Sequence, residues 1–157
     1  MATDACAANG FTLPTIPQSI SEEIKALLDN QVGLILTNPI ELNMFPEVTY
    51  NIARKLLLYE GIDFMLANSV FGQHPWLVFD VWYDSFCDTI LRVSKGADKP
   101  IGVVIQRGAS SHEEHFLALQ RRYQEAGLPV YHSMPAACRA IDRFLHYHQK
   151  RKRHKER

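Results

Sequence analysis

The sequence has few cysteines and no long apolar run, and each shortage argues against a class of protein. Its three cysteines, Cys6, Cys87 and Cys138, stand far apart, and none belongs to a CxxC pair. This spacing argues against a disulfide framework and a zinc site, so all three are expected to be reduced thiols. No apolar run of about 18 residues or more is present, so no membrane span is expected. A signal-peptide layout is also missing, which makes the cytoplasm the expected compartment.

Common catalytic and nucleotide-binding signatures are missing as well. The sequence contains no GxSxG nucleophile motif, no P-loop, no GxGxxG turn and no HExxH metal motif. His112 and His115 are three residues apart and would share one side of a helix. Because no third ligand is apparent, no metal site is predicted. No catalytic residue is assigned to this chain.

The balanced charge of the chain conceals a basic end. The chain carries 17 Lys or Arg and 17 Asp or Glu, but six of the basic residues and one of the acidic residues fall within residues 150–157. The preceding part is therefore mildly acidic. We place a basic tail at residues 149–157, where it is either a solvated end or a contact for phosphates or an acidic partner. Nucleic-acid binding is not expected from this feature alone.

The C-terminal half of the sequence contains a strand–helix–strand pattern. Residues 101–105 are apolar with little alternation, which is typical of a parallel strand covered on both faces. Ser110 and Ser111 each precede a glutamate by three residues, which predicts a capped helix start, and Gly127 closes that helix. Residues 128–131 form the predicted returning strand. A crossover of this length predicts two parallel strands with a right-handed connection.

Similar patterns predict the other elements. Residues 1–9 are predicted to be the end of a helix, and a capping box of Ser19 and Glu22 starts a second helix. Apolar runs at 32–37 and 62–67 predict two more strands. The predicted inner faces of the three remaining helices are Val48, Ile52, Leu56 and Tyr59; Leu77, Val81, Phe86, Ile90 and Val93; and Ala137, Ile141, Phe144 and Leu145.

Four strands that alternate with helices predict a three-layer α/β domain over residues 1–148 with a parallel sheet. In such sheets the ligand crevice lies beyond the carboxyl ends of the strands. Free N–H groups and the dipole at helix N-termini favour anions there, such as a phosphate or a carboxylate. Each polar residue at this edge also has a local role as a turn residue, a helix cap or a solvated charge. The candidate anion-binding or ligand-binding residues are Asn38, Asn68, Arg107, His132 and Ser133.

Several short motifs, in this order, resemble a known family. They are NGFTLPTIPQSISEEIKALL, NPIEL at residues 38–42, DKPIGVVIQRG and AGLPVYHSMPAACRAIDRFLHY. They are similar to the last flavodoxin-like module of the α part of NDP-forming acyl-CoA synthetases, which include ADP-forming acetyl-CoA synthetase and relatives of succinyl-CoA synthetase. The resemblance extends over residues 2–147. It implies a flavodoxin-like, succinyl-CoA synthetase-like fold.

The resemblance also implies a function. Members of the family make an acyl-CoA, ADP and phosphate from an acid, CoA and ATP, or the reverse, through an acyl phosphate and a phosphohistidine. A module like this one packs against a CoA-ligase module that carries this histidine, and an ATP-grasp domain completes the enzyme. The SHTG-type histidine motif is absent here, because Ser111 and His112 are followed by two glutamates. We therefore expect the isolated chain to be inactive, and CoA and ADP or ATP to belong to the complete ligase.

The sequence departs from the family pattern at two places. The family's first strand and its glycine-rich turn have no counterpart, so we expect an N-terminally truncated module whose sheet edge is completed by another chain or in a homodimer. Glu41 stands where the family usually has Asp. Two alternatives stay open. One is a non-catalytic ligand-binding or regulatory module, as in the synthetase-like part of some protein acyltransferases, and the other is a structural relic.

Overall fold

A computed structural model describes residues 2–28, 37–40, 46–71, 79–108 and 112–155. Within these ranges, helices precede, separate and follow three strands. In chain order the elements are α1 (Ala2–Ala7), α2 (Gln18–Leu27), α3 (Pro46–Leu58), β1 (Met65–Phe71), α4 (Phe79–Ser94), β2 (Ile101–Arg107), α5 (Glu113–Glu125), β3 (Val130–Tyr131) and α6 (Met134–Lys155). No helix of this described part is both long and apolar enough to cross a bilayer.

The described strands form a parallel sheet in the order β1-β2-β3. Met65 lies opposite Ile101 and Phe71 opposite Arg107, so β1 and β2 pair along their whole length. Both crossovers run in the same direction across the sheet, and right-handed connections therefore put α4 and α5 on one face. The predicted three-layer, flavodoxin-like α/β fold is confirmed. The fourth predicted strand, at 32–37, lies outside the described residues apart from Thr37.

The larger core lies between the sheet and helices α3, α4 and α5. β2 contributes Val103 and Ile105 to it, and β1 contributes Phe71, all almost fully buried. The Phe71 ring centroid lies 4.5 Å from that of Tyr83 and 5.6 Å from that of Phe116. Aromatic rings at these distances add to the stabilisation that their buried area provides. This face is therefore filled by large, mutually contacting side chains.

The opposite face is covered by α1 and α6, which contribute mainly small side chains and the larger Met134 to its buried core. Val104 of β2 packs there against Ala5, Cys6, Ala137 and Cys138. Because these helical side chains are short, α1 and α6 approach each other closely. Nearer the carboxyl ends of the strands, the Asn68 side chain on this face is exposed. The cover by α1 and α6 thus leaves part of the sheet face open.

Helix α3 packs on two sides, which its single predicted stripe did not indicate. Ile52 is fully buried against Ile24 of α2, whereas Ala53 and Leu57 face the sheet. The predicted inner residues of α3 therefore contact α2 instead of the sheet. Tyr59 lies just beyond the end of the helix.

Two predicted helix caps differ from the structure. The N-cap of α2 is Pro17, which makes no side-chain cap bond, so the predicted capping box at Ser19 is wrong. Ser19 lies inside the first helical turn, where its hydroxyl cannot act as the N-cap. The N-cap of α5 is His112, whereas the predicted caps, Ser110 and Ser111, lie outside the described residues. The helix nevertheless begins where the sequence predicts, and Gly127 closes it at φ 79°.

Three apolar residues that were predicted to face the core are exposed. Val81 is 65% exposed, Phe144 62% and Leu145 41%. In α4 the predicted Ile90 and Val93 are buried, but so are Tyr83 and Cys87, which gives a stripe that is rotated relative to Val81. The predicted Leu77 lies outside the described residues. In α6, Phe144 and Leu145 are exposed because the helix is longer than the sheet on which it packs. This helix has 22 residues and spans about 33 Å, whereas the seven-residue strands span only about 23 Å. Its second half, which continues into the predicted tail, therefore runs beyond the sheet.

The boundaries of β1 also differ from the prediction. The strand covers Met65–Phe71 instead of 62–67, so Asn68 lies within a strand and not in the loop that follows it. Asparagine favours turns, but Phe71 is only 2% exposed and pairs with β2 at Arg107. Burial and strand pairing therefore override the local preference of Asn68.

Candidate functional site

Two of the five candidate residues lie against the same aromatic ring at the carboxyl edge of the sheet. Arg107 is the last residue of β2, and His132 follows β3 directly. The guanidinium carbon of Arg107 lies 5.8 Å from the centroid of the Phe116 ring. The His132 ring centroid lies 6.4 Å from the same centroid. The fold thus brings together two polar residues that are 25 positions apart in the sequence.

Helix α5 supplies the polar partners of these two residues. Arg107 Nη2 lies 3.4 Å from Glu113 Oε2, and Gln120 Nε2 lies 3.3 Å from His132 Nδ1. Sequence reasoning missed Phe116 and Gln120, and assigned Glu113 only a capping role. The signal that could have found them is their spacing, because residues three or four apart share one side of a helix. The N-terminal half of α5 therefore forms one wall of the candidate site.

Ser133 acts as the helix cap that its local reading predicted. The backbone N–H of Ala136 donates to Ser133 Oγ at 3.3 Å, and that of Ala137 donates to the Ser133 carbonyl at 3.0 Å. The start of α6, with its partial positive charge, therefore lies next to His132. Together with the Arg107 guanidinium, this gives the edge a positive contribution that the Glu113 carboxylate partly offsets.

Asn68 lies on the face of the sheet that α1 and α6 cover only in part. Gln106 Nε2 donates to Asn68 Oδ1 at 2.9 Å across the β1–β2 pair. Gln106 was not among the candidate residues. Asn68 pairs in register with Val104 of β2, and Gln106 lies two residues further along the same strand. Because side chains two positions apart point to the same face of a sheet, the two amides lie side by side. The Asn68 side chain is exposed on this face, whereas Gln106 is half-buried.

Asn38 lines a groove that neither Arg107 nor His132 borders. This groove of about 860 Å³ runs along the outer edge of β1, and Asn68 also lines it. Apolar residues such as Leu57 and Phe64 form most of its wall. Residues 29–36 and 41–45, which flank Asn38 in the chain, lie outside the described residues. The five candidates therefore form two groups: Arg107, His132 and Ser133 at β2 and β3, and the two asparagines at β1.

The first group has the chemistry of a small anion site. An arginine and the N-terminus of a helix both interact favourably with a phosphate or carboxylate. The contacts of this group with α5 and with the start of α6 suit the binding and orientation of a ligand. Within the part of the chain that the structure describes, no group of three or more His, Cys, Asp or Glu side chains could hold a metal ion.

Comparisons with known proteins concern the fold. No protein-family model matches the sequence, and no curated protein matches it. Among solved structures, the crystal structure of PH0766 from Pyrococcus horikoshii OT3 resembles this chain with a TM-score of 0.70 at 19% sequence identity. The similarity covers 90% of this chain and 31% of that one. The chain therefore has the fold of one part of a longer protein, and spans about a third of its length.

Proposed function

We propose that this chain is a module of an NDP-forming acid–CoA ligase, that is, an ADP-forming acyl-CoA synthetase of the cytoplasm. The observation that carries the proposal is the match of 90% of this chain to 31% of PH0766. This is the relation expected between one module and a multi-module chain. The ordered motifs described above supply the ligase assignment, because the fold alone is compatible with many activities.

The proposed role of the module is to support phosphoryl transfer, not to perform it. The phosphohistidine and the CoA site belong to a CoA-ligase module, and ADP or ATP to an ATP-grasp domain. In this assembly the edge at Arg107 and the start of α6 contacts a phosphate-bearing group. Arginine suits this contact because its guanidinium forms two directed hydrogen bonds to phosphate oxygens. In the proposed assembly, a partner that completes the sheet beside β1 would contact the side where Asn38 and Asn68 line the groove.

The activity of the isolated chain is the first test. We expect no acyl-CoA from the purified chain incubated with an acid, CoA, ATP and Mg²⁺, because it lacks the histidine motif. A coupled assay for free thiol consumption and ADP formation measures this directly. Turnover above the level of a heat-denatured sample would contradict the assignment of the chemistry to other modules.

Ligand-dependent unfolding is the second test, and it addresses the anion edge. At about ten times its Kd, a ligand stabilises the folded state by about 1.4 kcal/mol, which raises the Tm by roughly 3 °C or more for a chain of this size. We expect inorganic phosphate or ADP to produce this rise in the wild type, and Arg107→Ala to abolish it.

Arg121→Ala is the matched control, because Arg121 is exposed on α5 and the substitution removes the same charge. We expect it to keep the ligand-induced rise. An equal loss in both variants would show that only net charge matters and would contradict the site. A rise with CoA that is independent of Arg107 would favour a regulatory binding module. No rise with phosphate, ADP or CoA would favour a structural relic.

A further inference from the structure

Two cysteines that are distant in the sequence meet between the first and last helices. Cys6 Sγ of α1 lies 3.8 Å from Cys138 Sγ of α6, although 132 residues separate them. Both thiols are free and buried, with Cys6 7% exposed and Cys138 fully buried. Such a contact has no role in the proposed anion site, which lies at the carboxyl edge of the sheet. The neighbouring thiols therefore call for a separate explanation.

We propose that Cys6 and Cys138 form a redox switch in which hydrogen peroxide converts the two thiols to a reversible disulfide that joins α1 to α6. In the first step, the Cys6 sulfur attacks the peroxide, the O–O bond breaks, and Cys6 becomes a sulfenic acid while water is released. In the second, the Cys138 sulfur attacks Cys6, the S–O bond breaks and a second water leaves. Two thiols lose two electrons and two protons, which the peroxide accepts.

The surroundings of the two thiols determine the order of these steps. Burial raises the pKa of the Cys138 thiol to about 11, so its reactive thiolate is scarce at neutral pH. Cys6 keeps a slight exposure and borders the groove along β1, from which a small oxidant can approach. Cys6 is therefore the thiol that meets the peroxide, and Cys138 is the resolving thiol.

The packing around the pair permits the bond to close. A disulfide is about 2.05 Å long, so the two sulfurs must approach each other by less than about 2 Å. Their neighbours in this core include the small residues Ala5 and Ala137, and α1 has only six residues. A small shift of α1 toward α6 is therefore sufficient. Cys87 cannot compete, because it packs on the other face of the sheet.

The test is oxidation of the folded chain with hydrogen peroxide, followed by intact mass and peptide analysis. We expect a loss of about 2 Da, a linked peptide pair that contains Cys6 and Cys138, and reversal by dithiothreitol. The disulfide closes a loop of more than 100 residues, so the Tm of the oxidised protein should rise by on the order of 5–10 °C. Cys87→Ala should behave like the wild type, while Cys6→Ala and Cys138→Ala should show no rise.

Three outcomes would overturn the proposal. The first is accumulation of sulfinic or sulfonic acid on Cys6 while Cys138 stays free, because it would mean that Cys138 does not resolve the sulfenic acid. The second is covalent dimers between chains, and the third is oxidation that occurs only in denaturant. If an alanine variant does not fold, labelling of the wild-type protein still tests the proposal. Maleimide labelling after brief peroxide pulses must then show Cys6 and Cys138 lost together and Cys87 kept.

Discussion

The two faces of the sheet are built from the same strand but packed in different ways. Val103 and Val104 are neighbours on β2, both are fully buried, and they point to opposite sides. Val103 faces a core with Phe71, Tyr83, Phe116 and Tyr123. Val104 faces a buried core of two alanines, two thiols and Met134, with no fully enclosed aromatic ring among these residues. The aromatic face depends on contact among large rings. The face beneath α1 and α6 depends on the close approach of two helices with small side chains.

The ring-packed face is therefore expected to contribute more to the stability of the fold, and the face beneath α1 and α6 to be more able to repack. Large interlocked rings leave little freedom to repack, and the loss of one ring leaves a cavity. Small side chains let α1 and α6 adjust, and they bring two thiols within reach of each other. The candidate functional features follow the same division. Arg107 and His132 are held against Phe116 of the aromatic face, whereas Asn68 and Gln106 lie on the partly open face.

The largest expected effect is that of Phe71→Ala on the aromatic face. Phe71 is 2% exposed and contacts Tyr83 and Phe116, so the substitution leaves a cavity among rings. We expect the free energy of unfolding to fall by about 3–5 kcal/mol, measured by urea denaturation. A loss below about 1 kcal/mol, with an unchanged m-value, would mean that this face repacks as easily as the other.

The paired substitutions Val103→Ala and Val104→Ala compare the two faces most directly. The two residues have the same side chain, strand and burial, so only their neighbours differ. We expect a loss of about 3 kcal/mol for Val103→Ala and about 2 kcal/mol for Val104→Ala, because the smaller neighbours of Val104 can close the cavity further. Equal losses, or the reverse order, would remove the distinction between a rigid and an adaptable face.

A smaller effect is expected at alkaline pH in reducing buffer. The Cys138 thiol has a pKa of about 11 in the folded state, raised by burial, against an ordinary value of 9.0. The unfolded chain therefore loses this proton at lower pH, so stability is complete below pH 9 and declines as the pH rises toward 11. The expected loss is about 1 kcal/mol by pH 10, and Cys138→Ala should flatten that slope.

Cys87 provides the corresponding measurement for the aromatic face. Burial also raises the pKa of the Cys87 thiol, so a residual decline in the same direction is expected from it in the Cys138→Ala background. Unfolding curves at pH 8, 9 and 10 for Cys87→Ala and Cys138→Ala separate the contributions of the two thiols to the pH dependence of the free energy of unfolding. An identical slope in the wild type and in Cys138→Ala would contradict the assignment to the α1–α6 core.

The smallest effects concern the glycines that close one helix on each face. Gly10 follows α1 at φ 73° and Gly127 follows α5 at φ 79°, and an added Cβ would meet no atom within 4 Å at either position. The cost of Gly→Ala is therefore only the left-handed backbone, about 1 kcal/mol. We expect the whole of it at Gly127 and less at Gly10, because the short α1 can fray. Thermal unfolding of both variants measures the difference, and a larger loss at Gly10 would show that α1 is the better anchored helix.

The candidate site could be predicted from the sequence only in part. The expectation that polar residues follow the buried strands placed Arg107, His132 and Ser133 at the correct edge, because parallel strands end together. The contacts of Arg107 and His132 with Phe116 could not be foreseen, since they depend on how α5 is rotated over the sheet. The sequence predicts Asn68 beyond the end of the strand, because asparagine favours turns. The pairing of β1 with β2, which keeps it within the strand, cannot be read from local residues.

The sequence by itself determined the local features of this protein. The continuous apolar run of β2, the helix of α5 and the glycines that close α1 and α5 were all predictable, because each depends on residues only a few positions apart. The tertiary structure alone decided which distant residues meet. Cys6 reaches Cys138, and Arg107 shares a ring with His132, through strand order, register and helix length. Those properties arise from the packing of the whole chain, for which local spacing carries no signal.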